Sequence, residues 1–435
     1  MPICDTGSES CIRLARKSVP RHHGCSVNRA RHSARFFIVA AVVSLVAPTT
    51  IAESIVPALP ANERVISKLR SLKENEAVLL GSARVVGEFN ATAQKFDLHV
   101  TGPRGRDFTN KMAWAPERRR ALFLGANHAT PHRLNDVWEF DLAALTWAML
   151  YAPDNSRSYG GLGEDASDVE FKDGLLVTSR GGPAIIGHTW WGLTYDPLQK
   201  RLLFMNTWVT NQAKVIERMG GDPALRYTGP PLWSFHPQTG QWLALKSAIG
   251  PKAPFGGMLE YVSPLEGAIW HMNNSQMRET WLFAARTNSW RKLTGRDATG
   301  DFASQSPFAE AVGYFDPVRK IVVAHRGKST FHFDTTTLVW KKVHAEDNDS
   351  DRAPPGHDAR TPFYYDPTSG QGLLVDFVSN TLWAYNPDQF LWTRLQPGGD
   401  EIPKGRKRLA YVDPALNVLV VIEGTTVWAY RHRAK

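Results

Sequence analysis

The sequence predicts an all-β chain, a six-bladed β-propeller with four antiparallel strands per blade. Three observations predict it. A nine-residue interval between aromatics recurs five times, at Trp138/Trp147, Trp233/Trp242, Trp281/Trp290, Phe331/Trp340 and Trp383/Trp392, and a sixth copy opens at Trp428. A further aromatic falls seven residues before each closing tryptophan, at Phe140, Phe235, Phe283, Phe333 and Tyr385. A proline turn precedes every pair: Trp114-Ala-Pro116, Tyr195-Asp-Pro197, Tyr261-Val-Ser-Pro264, Phe315-Asp-Pro317, Tyr365-Asp-Pro367 and Val412-Asp-Pro414. A fixed interval repeated down a chain marks one supersecondary unit stacked on itself. Six such units of short strands make a propeller. Seven blades is the alternative if Asp168–Ser179 and its neighbours form a blade, although that segment lacks the aromatic pair.

Residues 1–52 read as a signal peptide with a long basic n-region. Basic residues run to Arg35, an apolar stretch spans Phe36 to Ala47, Pro48 breaks it, and Thr50-Ile51-Ala52 offers small residues for cleavage. The apolar stretch is too short for a permanent membrane anchor. The mature chain is therefore expected to be secreted or periplasmic. Residues 53–95 read as an N-terminal extension with a short helix within Ala61–Glu74, where Ile66, Leu69 and Leu72 share a face. Residues 96–435 read as the propeller.

Within each repeat the first strand ends at the proline turn, where proline presets φ and aspartate caps the turn. The second strand follows, as at Ala121–Gly125, Leu202–Met205, Ile321–His325 and Val418–Ile422. The third carries the first aromatic, and the fourth, after another tight turn, carries the closing tryptophan. The last repeat has only three strands after Lys407. Its fourth is expected from the N-terminal side, at Phe96–Thr101, which would join the ends of the ring and cover open strand edges.

These intervals resemble kelch repeats, in which a Tyr or Phe sits seven residues before a blade-closing Trp, often followed by Asp. Phe140-Asp141 with Trp147 and Phe333-Asp334 with Trp340 fit that pattern. The resemblance covers about residues 96–431 and departs at the kelch diglycine. Those places read Gly125-Ala126, Asn206-Thr207, Asn273-Asn274, Arg326-Gly327, Phe377-Val378 and Glu423-Gly424. The chain is also similar to secreted galactose-oxidase-like propellers. The copper-radical cofactor of galactose oxidase needs a cysteine cross-linked to a tyrosine, and no cysteine follows Cys25. That chemistry is therefore not expected.

Of the net charge of +9, residues 1–52 hold seven basic residues against two acidic ones, so the rest carries about +4, spread along the chain. Nucleic-acid binding usually needs a concentrated basic stripe and is not expected. Lys341-Lys342 and the Lys404–Arg408 cluster read as solvated surface, with a grip on an acidic polymer as the alternative. Cys4, Cys11 and Cys25 all lie in the leader, so the mature chain is expected to have neither disulfides nor reactive thiols. Asn90, Asn273 and Asn348 match the glycosylation pattern. The protein is expected to be a monomer.

Loop length points to a working face. From turn proline to third-strand aromatic takes 22, 36, 17, 14, 16 and 14 residues in blade order. Extra loop on a rigid scaffold is where binding usually sits, so the expected site lies over blades one to three. The candidate ligand-binding residues are His128, His132, Arg133, Asn135, Asp136, Arg180, His188, Trp190, Trp191, Asn206, Trp208, His271 and Asn273. Unlike the others, Trp190, Trp191 and Trp208 are not explained by the repeat. Exposed aromatic faces with amides and guanidinium groups suit a sugar. The bland reading is that these tryptophans pack under the loops while His188 satisfies a backbone group.

Glycan recognition is the first expectation. The second is a polysaccharide lyase acting by β-elimination on a uronate, with His132 or His188 as base and Arg133 or Arg180 as carboxylate clamp. The third is a scaffold that binds an extracellular protein. No cofactor is expected. His128, His132 and His188 are weak metal candidates, since Pro131 removes the helix that would align the first two. No nucleophile elbow, zincin motif or phosphate-binding glycine loop is present.

Overall fold

A computed structural model describes residues 59–127, 133–158, 161–162, 165–206, 212–252, 255–293, 302–344 and 361–433. It is a six-bladed propeller with four antiparallel strands in each blade. Five blades are built from consecutive strands. The inner strands are Ala113–Ala115, Leu193–Asp196, Met258–Val262, Val312–Asp316, Phe363–Asp366 and Arg408–Asp413, and each neighbours the next round a closed ring. Asp168–Ser179 contributes only a two-stranded hairpin, Val169–Lys172 with Leu175–Thr178, and not a seventh blade. No helix among the described residues is long and apolar enough to cross a membrane.

The two sequence intervals are one hairpin register. Phe140 faces Trp147, Phe235 faces Trp242, Phe283 faces Trp290, Phe333 faces Trp340 and Tyr385 faces Trp392 directly across strands three and four. Their ring centroids lie 4.9–5.2 Å apart, and such cross-strand aromatic pairs stabilise a sheet. The turns between strands one and two share one construction as well. Asp196, Asp316 and Asp413 each accept two backbone N–H groups from the turn. A left-handed residue closes each turn, at Arg119, Lys200, Glu266, Lys320, Gly370 and Asn417.

The ring closes through Glu76–Ser82, which pairs antiparallel with Thr426–Arg431 as the fourth strand of blade six. The expected closing segment, Phe96–Thr101, is not a strand: Leu98–Thr101 is a helical turn entered through Asp97 in the left-handed conformation. Gly398–Gly399 covers the outer edge of Glu76–Ser82, and Arg84–Gly87 lies parallel on the outer strand of blade one. The segment before the repeats thus protects an edge at each end of the ring. Ahead of it, Asn62 caps a helix over Glu63–Ser71 whose buried residues are Val65 and Leu69.

A relay crosses two blade interfaces. Trp340 Nε1 donates to Thr280 Oγ1 in the preceding blade, 3.0 Å away, and Trp392 Nε1 donates to Thr330 Oγ1 at 2.9 Å. Each threonine also meets a histidine of its own blade, His271 or His325. The equivalent positions elsewhere hold Val137, Leu232, Leu382 and Val427, of which Val137, Leu232 and Val427 share apolar clusters with Trp242, Trp290 and Trp147. Those three indoles have no hydrogen-bond partner among the described residues. Thr330→Val is therefore predicted to cost about 2–3 kcal/mol, because it strands two buried groups. Val137→Thr should stay within about 1 kcal/mol of wild type, since the new hydroxyl gives Trp242 an acceptor. Urea unfolding of both variants checks this; equal losses would show that the threonines do not serve the indoles.

Candidate functional site

The structure places the residues expected over blades one to three in loop anchors. Asp136 is buried under a bidentate Arg106 (2.8 and 2.5 Å) and accepts Trp138 Nε1 at 2.6 Å. Asn135 exchanges two hydrogen bonds with Asp154, which also accepts the Tyr151 hydroxyl and Arg180. Arg180 lies over the Tyr151 ring with its carbon 4.0 Å from the centroid. Burial pushes that tyrosine's pKa up. Arg133 donates to Ile186 O, and Asn206 binds Ile185 O and Gly187 N. Each polar group satisfies the backbone or a side chain of another long loop, as buried polar groups must.

The remaining candidates follow the same rule. His188 packs between Phe108 and Trp190, with centroids 5.0 and 5.4 Å away. Trp190 and Trp191 form no exposed platform, being 7% and 1% accessible. His271 takes part in the interblade relay, with Nε2 2.9 Å from Pro307 O. Burial lowers its pKa to about 4. Asn273 ties down Ala303 and Ser306. His128, His132 and Trp208 lie outside the described residues. Arg180 and His188 share no hydrogen-bond partner or ring contact among the described interactions.

The axis of the ring is filled by four side chains that sequence reading did not single out together. Lys111 enters from blade one and reaches Glu260 on the inner strand of blade three, Nζ to Oε1 2.5 Å, and Leu259 O at 2.8 Å. Trp191 donates to the same Glu260 oxygen at 2.7 Å and to Gly313 O in blade four at 2.6 Å. Tyr364 of blade five bonds the backbone of Met112. Lys111–Glu260, Trp191–Gly313 and Tyr364–Met112 join blades that are not neighbours, so they are made across the channel. Burial pulls Lys111 down and pushes Glu260 up, while their attraction opposes both shifts. A ligand on the axis would have to displace a dry ion pair.

A cleft of about 440 Å³ opens on the long-loop face over blades five, six and one, lined by Arg106, Asn110, Phe377, Val378, Arg406 and Arg408 among others. Two glycines allow its walls to meet. Gly105 N bonds Lys407 O at 2.8 Å, and a Cβ at Gly105 would lie 2.6 Å from Arg408 O. A Cβ at Gly405 would lie 2.2 Å from the Glu423 carboxylate. Arg408 is fixed by Pro403 O, Phe377 O and Asn380 Oδ1, and stacks on the Phe377 ring at 4.3 Å. Burial lowers the pKa of Lys407 and Arg408 and raises that of Glu423. Arg406 is exposed at the mouth.

Asn110 is the unusual member. Its side chain is only 2% accessible, yet neither its amide nitrogen nor its oxygen has a hydrogen-bond partner among the described residues. A buried amide left unpaired costs about 1–3 kcal/mol. Asn110 lines the cleft with its amide group buried and unpaired, beside Arg406 and Arg408. The available signal was the Lys404–Arg408 run immediately before an inner strand, which reads as surface when taken alone.

No protein-family profile matches this chain, and no curated protein matches it in sequence. Solved structures resemble it in architecture at low identity. An auxiliary nutrient binding protein from Bacteroides ovatus ATCC 8483 is 9% identical, covering 81% of this chain and 76% of its own, with a TM-score of 0.45. TolB from Acinetobacter baumannii is 11% identical over 77% of this chain and 68% of its own, with a TM-score of 0.38. An auxiliary nutrient binding protein from Bacteroides thetaiotaomicron VPI-5482 is 11% identical over 68% and 71%, with a TM-score of 0.35.

Proposed function

We propose that this chain is an exported, kelch-like propeller that recognises an acidic glycan, without chemistry, in the cleft over blades five, six and one. The unpaired Asn110 amide at a cationic cleft carries the reading. A carboxylate would meet Arg406 and the neighbouring basic groups, while a hydroxyl or ring oxygen would complete Asn110. The filled axis also favours binding on the face. No histidine lines the cleft among the described residues, so the histidine base expected for β-elimination forms no part of this reading.

Two substitutions test it, with glucuronate and acidic oligosaccharides as probes in calorimetric titrations of the purified protein. Arg406→Glu is expected to weaken binding by about tenfold or more, a loss of about 1.4 kcal/mol, with thermal stability unchanged because the side chain is exposed. Asn110→Leu should also abolish binding, yet raise the melting temperature, because it removes a buried unpaired amide at nearly constant volume. A structural asparagine would give the opposite thermal shift. Absorbance at 235 nm should stay flat with uronate polymers; a rise would replace the reading with a lyase.

A further inference from the structure

We infer that the ligand is an oligosaccharide in which an acidic unit adjoins an uncharged one, an inference that rests on the reading above. A second groove, of about 380 Å³, lies beside the cationic cleft. The two linings run on from each other along the chain. Phe377 and Val378 line the first and Ser379 to Leu382 the second, while Gly399 to Ile402 lead through Lys404 to Gly405 and Arg406. Their common wall is the contact between Arg408 and Asn380, and Asn380 Nδ2 also holds Ile402 O at 3.2 Å. A ligand filling only the first cleft would leave this adjoining groove empty.

The chemistry of the second groove differs from that of the first. Arg394 and Lys404 face Asp400 and Glu401, so its formal charges cancel. The rest of its polar lining consists of hydroxyls and amides, including Thr381, Asn380 and Gln396. Mixed donors and acceptors without net charge suit a neutral polyol, whereas a second carboxylate would gain nothing from a balanced lining. Each volume lies within the roughly 300–1,000 Å³ of small-ligand sites. One acidic and one neutral sugar unit, linked across the Arg408–Asn380 wall, fit the pair.

The test compares three probes by calorimetry on the full chain: glucuronate, a tetragalacturonate, and a hyaluronan tetrasaccharide that alternates glucuronate with an uncharged sugar. The mixed tetrasaccharide is expected to bind about tenfold or more tighter than either of the others. Arg394→Ala/Gln396→Ala should erase that increment and leave glucuronate binding unchanged, since neither side chain makes a described contact within the protein. Equal affinity for tetragalacturonate and the mixed tetrasaccharide, or no gain over the monosaccharide, would overturn the two-groove inference while leaving the acidic-glycan reading intact. Failure of all three saccharides, with binding of a polyglutamate peptide instead, would overturn both.

Discussion

Glu260→Leu is expected to lower the unfolding free energy by about 3–5 kcal/mol at pH 7, because it leaves Lys111 unpaired in the filled axis. Lys111 is 4% accessible, and its other hydrogen-bond partner is a backbone carbonyl. Its escape is to release the proton. Holding a lysine of ordinary pKa 10.5 neutral at pH 7 costs about 5 kcal/mol, which caps the loss. The sign of the pH dependence follows. The unfolded chain would bind a proton that the folded variant does not, so the variant should gain stability as pH rises from 7 towards 10. Lys111→Met/Glu260→Leu removes both charges and should return to within about 1 kcal/mol of wild type or exceed it. Trp191 keeps Gly313 O as acceptor in either variant. Urea unfolding at pH 7 and 9.5 measures all of this; a single-variant loss below about 1 kcal/mol would mean that water reaches the axis and the channel is open.

The same pair shows why the axis was not legible in the sequence while the blades were. A hairpin fixes its register locally: residues seven apart across a four-residue turn must face each other, so Phe140 and Trp147 announce their contact in the sequence. Nothing local links Lys111 to Glu260, which lie 149 residues apart, or Tyr364 to Met112, 252 residues apart. Only ring closure brings them together. The closing strand was hidden for a related reason. Glu76–Ser82 has neither the proline turn nor the aromatic pair, because it is a lone fourth strand whose three partners lie at the other end of the chain.

The length of the loops in blades one to three has a structural cost by the same physics. Long loops carry many backbone groups that need partners, and in blades one to three Arg133, Asn135, Asn206 and Asn273 supply them. Polar residues there express the cost of folding an excursion. Blades five and six have short loops, yet Gly405 and Gly105 bring Arg408, Lys407 and Asn110 together. The amide on which the proposed cleft rests, Asn110, shows itself as unpaired only after every other partner has been assigned. His271 has a structural explanation too, since His271 and His325 recur at one position of successive blades for the interblade relay.

Two buried histidines, only one of them in the relay, set the second large effect, a loss of stability in acid. His271 and His332 both have pKa values lowered to about 4, first by burial, from an ordinary 6.5. His271 Nε2 faces the Pro307 carbonyl, so it donates, and Nδ1 accepts the Thr280 hydroxyl. The neutral ring completes the relay, and a second proton on Nδ1 would charge a buried ring and turn the Thr280 hydroxyl from donor to acceptor. Between pH 6.5 and 4 the unfolded chain therefore binds protons that the folded chain refuses, so stability falls as pH falls, by about 3 kcal/mol per histidine. Asp413 works in the opposite sense. Burial raises its carboxyl to about 6 from 3.8, so the folded state binds that proton more tightly and gains stability on acidification across pH 6 to 4. Asp413 thereby offsets part of the loss, to which His236 and His432, both also lowered by burial, add in the same direction as His271 and His332. Replacing His332, whose ring sits 5.6 Å from Phe390 and 5.9 Å from Tyr385, by phenylalanine should retain packing and remove one titration, with a pH-independent loss of the hydrogen bond to the Tyr385 hydroxyl. The His332→Phe variant should then lose about 3 kcal/mol less than wild type between pH 6.5 and 4 in guanidinium unfolding. A variant that lost stability in acid as steeply as wild type would show that the decline arises elsewhere, and that His332 already accepts its proton in the folded ring.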